Sequence, residues 1–223
     1  MKDIKLYHGS RGGIEGDIEP CSRLHCDFGK GFYMGTDKQQ AKSLVCNEHA
    51  PVFYLVEFKL SEIPEDRILT LEGKDWLNAI LAARALNENY SKLDIAKKWL
   101  KKLDRYDVII GKIADDKMVE AVQDFANNRI TDAALLKCLQ AVDLGTQYVA
   151  KTPFACSKIE ILREQTLHSK EKQDAQAQSM FYRRVAGNSI GEAVKQTRGQ
   201  GQFIDDIIKA EKMKMRKNKQ EGR

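Results

Sequence analysis

Ile4-Lys5-Leu6-Tyr7-His8 alternates apolar and polar residues, and that period of two predicts a first strand. The strand ends at Gly9-Ser10. Gly12-Gly13 then opens a loop with little periodicity that runs through Pro20 to about Asp27. A long irregular loop inside a domain is often a functional one. Asp27-Phe28-Gly29-Lys30-Gly31 leads into a short aromatic strand, Phe32-Tyr33-Met34, whose end is expected to open into a cleft. Glycine belongs where the backbone takes φ > 0 or must let another group come close. Thr36 or Asp37 is placed to cap a helix reaching about Cys46. Val52–Phe58 is a dense run of β-branched and aromatic residues, hence a strand. Residues 61–66 read as a turn and Arg67–Leu71 as a short strand.

From Lys74 to Arg105 the period becomes helical. Trp76, Leu77, Ile80, Leu81 and Ala85 share one face. Leu93, Ala96, Trp99, Leu100 and Leu103 share a second, with Asn87-Glu88-Asn89 between the two helices. Lys97, Lys98, Lys101 and Lys102 fall on a solvated side. Asp107–Gly111 is a strand ending at glycine. Ala114–Met118 starts a helix with Asp115 and Asp116 near its positive end, where they cap the helix or face a ligand. A helix from Thr131-Asp132 through Leu139, a strand over Gly145–Ala150 and a last strand over Ser157–Leu162 follow. Beyond them the pattern predicts helices over Gln165–Val185 and Ile190–Gln196. After a Gly199-Gln200-Gly201 turn, an amphipathic helix starts at Phe203 and ends in a basic, frayed stretch, Lys212–Arg223. There are no internal repeats.

Charge divides this chain. Residues 163–223 carry 14 Lys and Arg against 8 Asp and Glu, whereas residues 1–162 carry 23 against 24. The net +5 therefore belongs to the C-terminal segment. At 223 residues and 42% hydrophobic content, one domain with an appendage is expected. Five cysteines form no regular framework, which suits a reducing compartment. Cys21 and Cys26 with Cys46 and His49 give a C-x4-C…C-x2-H spacing that falls outside common zinc patterns, so no metal site is expected. No apolar run approaches the ~20 residues of a membrane span, and the N-terminus turns polar at once, so a soluble, cytoplasmic protein is expected.

Three polar residues stand where strand meets loop: His8 before Gly9, Tyr33 after Gly31, and Gln147 after Gly145. In this order they resemble the diphtheria-toxin and poly(ADP-ribose)-polymerase branch of the ADP-ribosyltransferases, which carries a His, a Tyr and commonly a Glu on its three motif strands. Leu6-Tyr7-His8-Gly9-Ser10 is similar to the first motif, Gly29-Lys30-Gly31-Phe32-Tyr33-Met34 to the second, and Gln147-Tyr148-Val149 to the place of the third. More narrowly, the chain resembles a bacterial family of PARP-like domains described only as of unknown function. The shared phrases are Tyr7–Ser10, Asp27–Tyr33, and Ile110-Gly111 through Ala114–Lys117.

The resemblance covers residues 1 to about 163. It implies an α+β fold with a split β-sheet core, peripheral helices and a C-terminal helical extension. The expected division is an NAD-binding domain over 1–163 and a basic helical extension over 164–223. It further implies NAD+ as substrate. His8 and Ser10 would hold the adenosine ribose, Gly9 would bind the nicotinamide carboxamide, Gly29 and Gly31 would shape the cleft, Tyr33 would be the floor under the ring, and Phe32 would join the cofactor-binding residues. Leu44 stands nearest the place of the family's second stacking tyrosine. His8, Tyr33 and Gln147 are the catalytic candidates, with Asp115 and Asp116 on the acceptor side.

A glutamine at 147 can bond a ribose hydroxyl but cannot act as a general base, so single transfer is expected rather than chain elongation. The leading expectation is a mono-ADP-ribosyltransferase modifying a protein or nucleic acid, in a toxin-like or defence role, acting in the cytoplasm or delivered to a target's. Its alternatives are an NAD+ glycohydrolase and an inactive NAD- or partner-binding module. The C-terminal helices would serve a protein partner or antitoxin, or recruit the acceptor.

Overall fold

The computed structural model describes residues 1–23, 25–113, 116–141 and 145–221. Seven strands join in one sheet of order β4-β5-β6-β2-β1-β3-β7. They are β1 (Ile4–Ser10), β2 (Phe32–Gly35), β3 (Val52–Phe58), β4 (Ile68–Leu71), β5 (Val108–Lys112), β6 (Thr146–Ala150) and β7 (Ile159–Thr166). Only β4 and β5 run parallel; every other neighbouring pair is antiparallel. The helices are α1 (Lys38–Ser43), α2 (Gly73–Arg84), α3 (Glu88–Ser91), α4 (Asp94–Leu103), α5 (Asp116–Ala126), α6 (Asp132–Ala141), α7 (Pro153–Cys156), α8 (Ser169–Gln196) and α9 (Ile204–Glu221). The class is α+β.

Strand alternation divides the side chains between two faces. Leu6, Phe32, Met34, Val56, Phe58, Val108, Ile110 and Ala150 build one core with Leu60, Ile63 and Cys156. Ile109 and Val149, one residue out of phase, face the larger core made by α2 to α6 and the start of α9, where Trp76, Leu77, Ile80, Phe125 and Leu135 are buried. Tyr33 packs against this helical side. Tyr7 and Phe53 meet Ala41, Val45 and Leu167 in a small third cluster under α1.

All seven strands belong to one sheet, and its shortest pairing is between β1 and β2. β1 pairs with β3 along all seven residues from Ile4↔Phe58 to Ser10↔Val52. Against β2 it is in register at Tyr7↔Gly35 alone. Beyond that point β1 and β2 part, and the opening becomes the site.

Several boundaries differ from the sequence expectation. α1 stops at Ser43, capped by Asp37, whose Oδ1 accepts the Gln40 N–H at 2.6 Å. Ala85 at φ 51° ends α2, and Asn87 caps the one-turn α3 that separates α2 from α4. β7 runs on to Thr166 because it follows β3 to its end at Val52, so residues 163–166 are strand and not helix. The two helices expected after it are one, α8. Gly187 and Gly191 lie on its open side, where an added Cβ would meet nothing, and an exposed helical glycine costs only ~1 kcal/mol. α9 continues as helix to Glu221.

The extension is packed rather than free. Ala193, Ile204 and Ile208 join the main core. Asp132 ties the turn before α9 to α6: its backbone N–H donates to the Gln202 carbonyl, and its Oδ1 accepts the Gln202 N–H at 2.7 Å.

Candidate functional site

The loop before β2 is fixed from four sides. Phe28 is fully buried, against Gly111 and Trp76, where any Cβ on residue 111 would collide with the Phe28 ring. Lys151 Nζ donates to the Phe28 carbonyl at 2.5 Å. The Tyr33 hydroxyl accepts the Phe28 N–H at 3.0 Å and donates to the Gly29 carbonyl at 2.7 Å. Ser22 Oγ accepts the Gly31 N–H at 3.0 Å. Gly29 takes φ +78°, which a side chain would strain. Gly31 lets β2 lie on β6, since a Cβ there would drive into the Val149 side chain and the Ala150 carbonyl. Burial, with Asp27 nearby, pushes the Tyr33 phenol well above its ordinary pKa, so it stays protonated and keeps its donor.

His8 spans the opening between β1 and β2. Its Nδ1 lies 2.7 Å from the Tyr33 carbonyl, which can only accept, so Nδ1 carries the proton. Its ring stacks on Phe32, with centroids 4.2 Å apart. Nε2 has no partner among the described residues. Burial lowers the His8 pKa, and the imidazole is neutral.

Two clefts meet at His8 and Tyr33. The smaller, about 110 Å³, is lined by Tyr7, Gly9, Tyr33, Leu44, Ile113 and Gln147 among others. It lies on the helical side of the sheet, where alternation places Gly9, Tyr33 and Gln147 together. The larger, about 460 Å³, adds Ser10, Gly31, Phe32 and the β1–β2 loop. That second volume is in the range of small-molecule sites. Its rim carries the exposed carboxylates of Glu15, Asp17 and Glu19, which favour sugar hydroxyls or a cationic group over phosphate.

Gly9 has a packing reason as well as a place in the cleft. A Cβ there would collide with the Ala41 carbonyl of α1 and stand 3.1 Å and 3.2 Å from the Val45 methyls. Ser10 Oγ is occupied within its own turn, donating to the Gly13 carbonyl at 2.7 Å and accepting the Gly13 N–H at 3.1 Å. Leu44 is 63% exposed at the mouth of the smaller cleft.

Gln147, 6% exposed, reaches the smaller cleft from β6. Its Nε2 donates to Asp27 Oδ2 at 2.7 Å and to the Lys112 carbonyl at 2.9 Å. Both partners are acceptors, so the nitrogen and oxygen of the amide are assigned by the network. Asp27 is 5% exposed, and its other oxygen accepts Arg84 Nε at 2.7 Å and lies 2.5 Å from a terminal guanidinium nitrogen of Arg84. The Lys112 carbonyl also accepts from Trp76 Nε1 at 3.0 Å.

His8, Gly9, Tyr33, Leu44 and Gln147 thus come together around the smaller cleft, and Ser10, Gly31 and Phe32 around the larger. Asp115 lies outside the described residues. Asp116 begins α5, and its side chain lies outside them too. Asp27 and Arg84 are the residues that sequence reasoning missed as site residues. Their only signals were a charge in a glycine-aromatic phrase and an arginine closing an apolar helix. Among the described residues, no three His, Cys, Asp or Glu gather as a metal-holding group. No helix among them is long and apolar enough to cross a membrane.

The sequence pattern of the family described as "Protein of unknown function (DUF3990)" matches residues 4–161. The chain belongs to that family. The DUF3990 match begins with β1 and stops within β7, so it contains all three motif strands and the loop that carries Asp27. α8 and α9 lie beyond it. No curated protein matches the chain. No solved structure matches it either.

Proposed function

We propose that this chain is a mono-ADP-ribosyltransferase that splits NAD+ and passes ADP-ribose to a macromolecule. The observation that carries the reading is the meeting of Gly9, Tyr33 and the free Oε1 of Gln147 in one small cleft where β1 and β2 part. Their motifs are those that resemble the ADP-ribosyltransferases, on strands adjacent in the sheet in the order β6-β2-β1.

The chemistry asks little covalent work of the protein. The bond between nicotinamide and ribose C1′ breaks, and its electron pair passes to the ring nitrogen. Nicotinamide leaves neutral and the ribose becomes oxocarbenium-like. C1′ then bonds to a nucleophilic atom of the acceptor, whose proton passes to solvent. Holding ring and ribose in one pose and excluding water supply the rate. Tyr33 would lie against the cationic ring, a contact worth ~0.5–2 kcal/mol. Gly9 would meet the carboxamide through its backbone, and Gln147 Oε1 would accept from the ribose 2′-OH. His8 Nε2 and the larger cleft would take the adenosine ribose.

A second reading is a binding module without turnover. It is favoured by the neutrality of Gln147 and by Arg84 and Gln147 together, which occupy both oxygens of the Asp27 carboxylate and leave it no free lone pair directed at the cleft as a base. On the first reading the acceptor is itself nucleophilic or is activated by Asp115 or Asp116, and the packed C-terminal helices offer it, or a protein partner, a surface. A toxin-like or defence role, in the cytoplasm of the producing cell or of a target, remains what the resemblance implies.

Incubation with cell lysate and NAD+ labelled in the adenosine half separates the readings. Label on a macromolecule supports transfer, with protease and nuclease treatment naming the acceptor class. Free labelled ADP-ribose makes the protein a hydrolase, and unchanged NAD+ leaves the binding module.

A further inference from the structure

The Gln147 side chain is more than nine-tenths buried, yet it keeps one polar atom without a partner among the described residues. Both hydrogens of Nε2 are used, by Asp27 Oδ2 and by the Lys112 carbonyl. Those two bonds fix the amide plane. Oε1 is then the only group Gln147 presents to the cleft, and it is an acceptor at every pH.

The two anchors are themselves fixed. Asp27 sits between Gln147 and Arg84, one carboxylate oxygen to each. The Lys112 carbonyl is shared with the Trp76 indole N–H. The chain brings these groups from four places: the loop before β2, the end of α2, the end of β5 and the start of β6.

We infer that Asp27, held by Arg84, is a positioning residue that aims Gln147 Oε1 into the cleft as a permanent acceptor for a neutral hydroxyl donor. Identifying that donor as a ribose hydroxyl rests on the NAD+ reading; the aiming itself does not. The arrangement also accounts for glutamine at this strand position. A glutamate would set a second carboxylate 2.7 Å from Asp27 and a third acceptor against the Lys112 carbonyl, with no hydrogen to give either. The negative charge of the site is thus moved one residue back from the ligand and neutralised there.

Two readouts on the full chain test this. The first is hydrogen exchange of the Gln147 side-chain amide pair in a proton–nitrogen NMR spectrum, assigned by its loss in Gln147→Leu. The second is the kcat and KM of NAD+ consumption. Asp27→Asn keeps the shape but loses the charge-assisted bonds. It is expected to speed exchange of the pair by about tenfold or more and to lower kcat by a similar factor. KM for NAD+ is expected to move by less than about threefold.

Should Asp27→Asn fail to fold, Arg84→Lys, which keeps the charge and loses the fork, is expected to move the same two quantities in the same direction. An amide pair that exchanges freely in the wild type overturns the inference, even with NAD+ consumed. So does a folded Asp27→Asn with unchanged exchange. A protected pair that Asp27→Asn releases, in a protein that consumes no NAD+, sustains the aiming and removes the NAD+ reading.

Discussion

The imidazole of His8 donates from Nδ1 to the Tyr33 carbonyl at 2.7 Å, bridging with a side chain the gap where the β1–β2 ladder stops after Tyr7↔Gly35. Sheet edges that part inside a core leave backbone groups to be satisfied by something else. Here a histidine satisfies one of them and keeps Nε2 for the cleft. That nitrogen is available only while the ring is neutral with its proton on Nδ1.

Stability should therefore depend on pH through His8. Burial holds its folded pKa below the ordinary 6.5, although the bond to Tyr33 works the other way. As pH falls below about 6.5 the unfolded chain takes up a proton that the folded one resists, so stability falls; above that pH the contribution is flat. His8→Gln can still donate to the Tyr33 carbonyl and does not titrate. Thermal melting of both proteins from about pH 8 to pH 5 should show the wild type losing ground to the variant on the acid side. Parallel curves would mean that His8 is not a buried neutral group.

Gly9→Ala should be costly for a steric reason. The Ala41 carbonyl is helix backbone and cannot swing aside, and the Val45 methyls close the other flank. Overpacking of this kind costs about 1–3 kcal/mol. Gly12→Ala, where an added Cβ meets nothing, should stay within about 0.5 kcal/mol. Urea unfolding reads both as midpoint shifts at constant slope. Equal midpoints would show that α1 does not press on Gly9.

Tyr33→Phe keeps the ring that lines both clefts and deletes the hydroxyl that staples Phe28 and Gly29. The loss should cost about 1–3 kcal/mol, since a backbone N–H and a carbonyl lose their partner. Backbone amide exchange of Phe28 should rise by about tenfold or more, while ligand stacking on the ring persists. Exchange unchanged at Phe28 would remove the hydroxyl from the loop's support.

Much of this was legible in the chain, for physical reasons that differ by element. β1 announces itself by its period of two, β3 by its dense run of β-branched and aromatic residues, and β6 by the glycine turn it leaves. The cleft residues His8, Tyr33 and Gln147, on β1, β2 and β6, were found because a glycine lies within two positions of each: Gly9, Gly31 and Gly145. Pairing was not legible. Nothing local in Ile68–Leu71 says that it runs parallel to β5, and β7 is longer than its apolar run because β3 gives it a full-length partner. α8 reads as two helices because Gly187 and Gly191 interrupt the period, yet on an exposed face they break nothing. Asp27–Arg84 and Asp27–Gln147 join residues 57 and 120 positions apart, and a single buried charge carries no periodic signal.

The same Asp27 contact predicts how Gln147→Glu behaves. Beside the Asp27 carboxylate and the Lys112 carbonyl, the new carboxyl would have its folded pKa raised above the ordinary ~4.3. Arg84 already serves Asp27, the Tyr33 phenol feels the Asp27 charge, and His8 faces the cleft as a neutral ring. An acid whose folded pKa is raised costs stability as pH rises through the interval between the two values. The melting temperature of Gln147→Glu should match the wild type best near pH 4 to 5 and fall behind it towards neutrality. A constant difference across that range would mean that Asp27 does not face residue 147.

The proposed reaction places NAD+ cleavage in the Gln147 cleft. The most direct measurement is nicotinamide release from NAD+ by the wild type and by Gln147→Ala, in the presence of lysate acceptor, with NAD+ affinity measured alongside. Release is expected to fall by about tenfold or more in Gln147→Ala, while the dissociation constant for NAD+ changes much less. Release at the wild-type rate from Gln147→Ala, or no release from either protein, would contradict it.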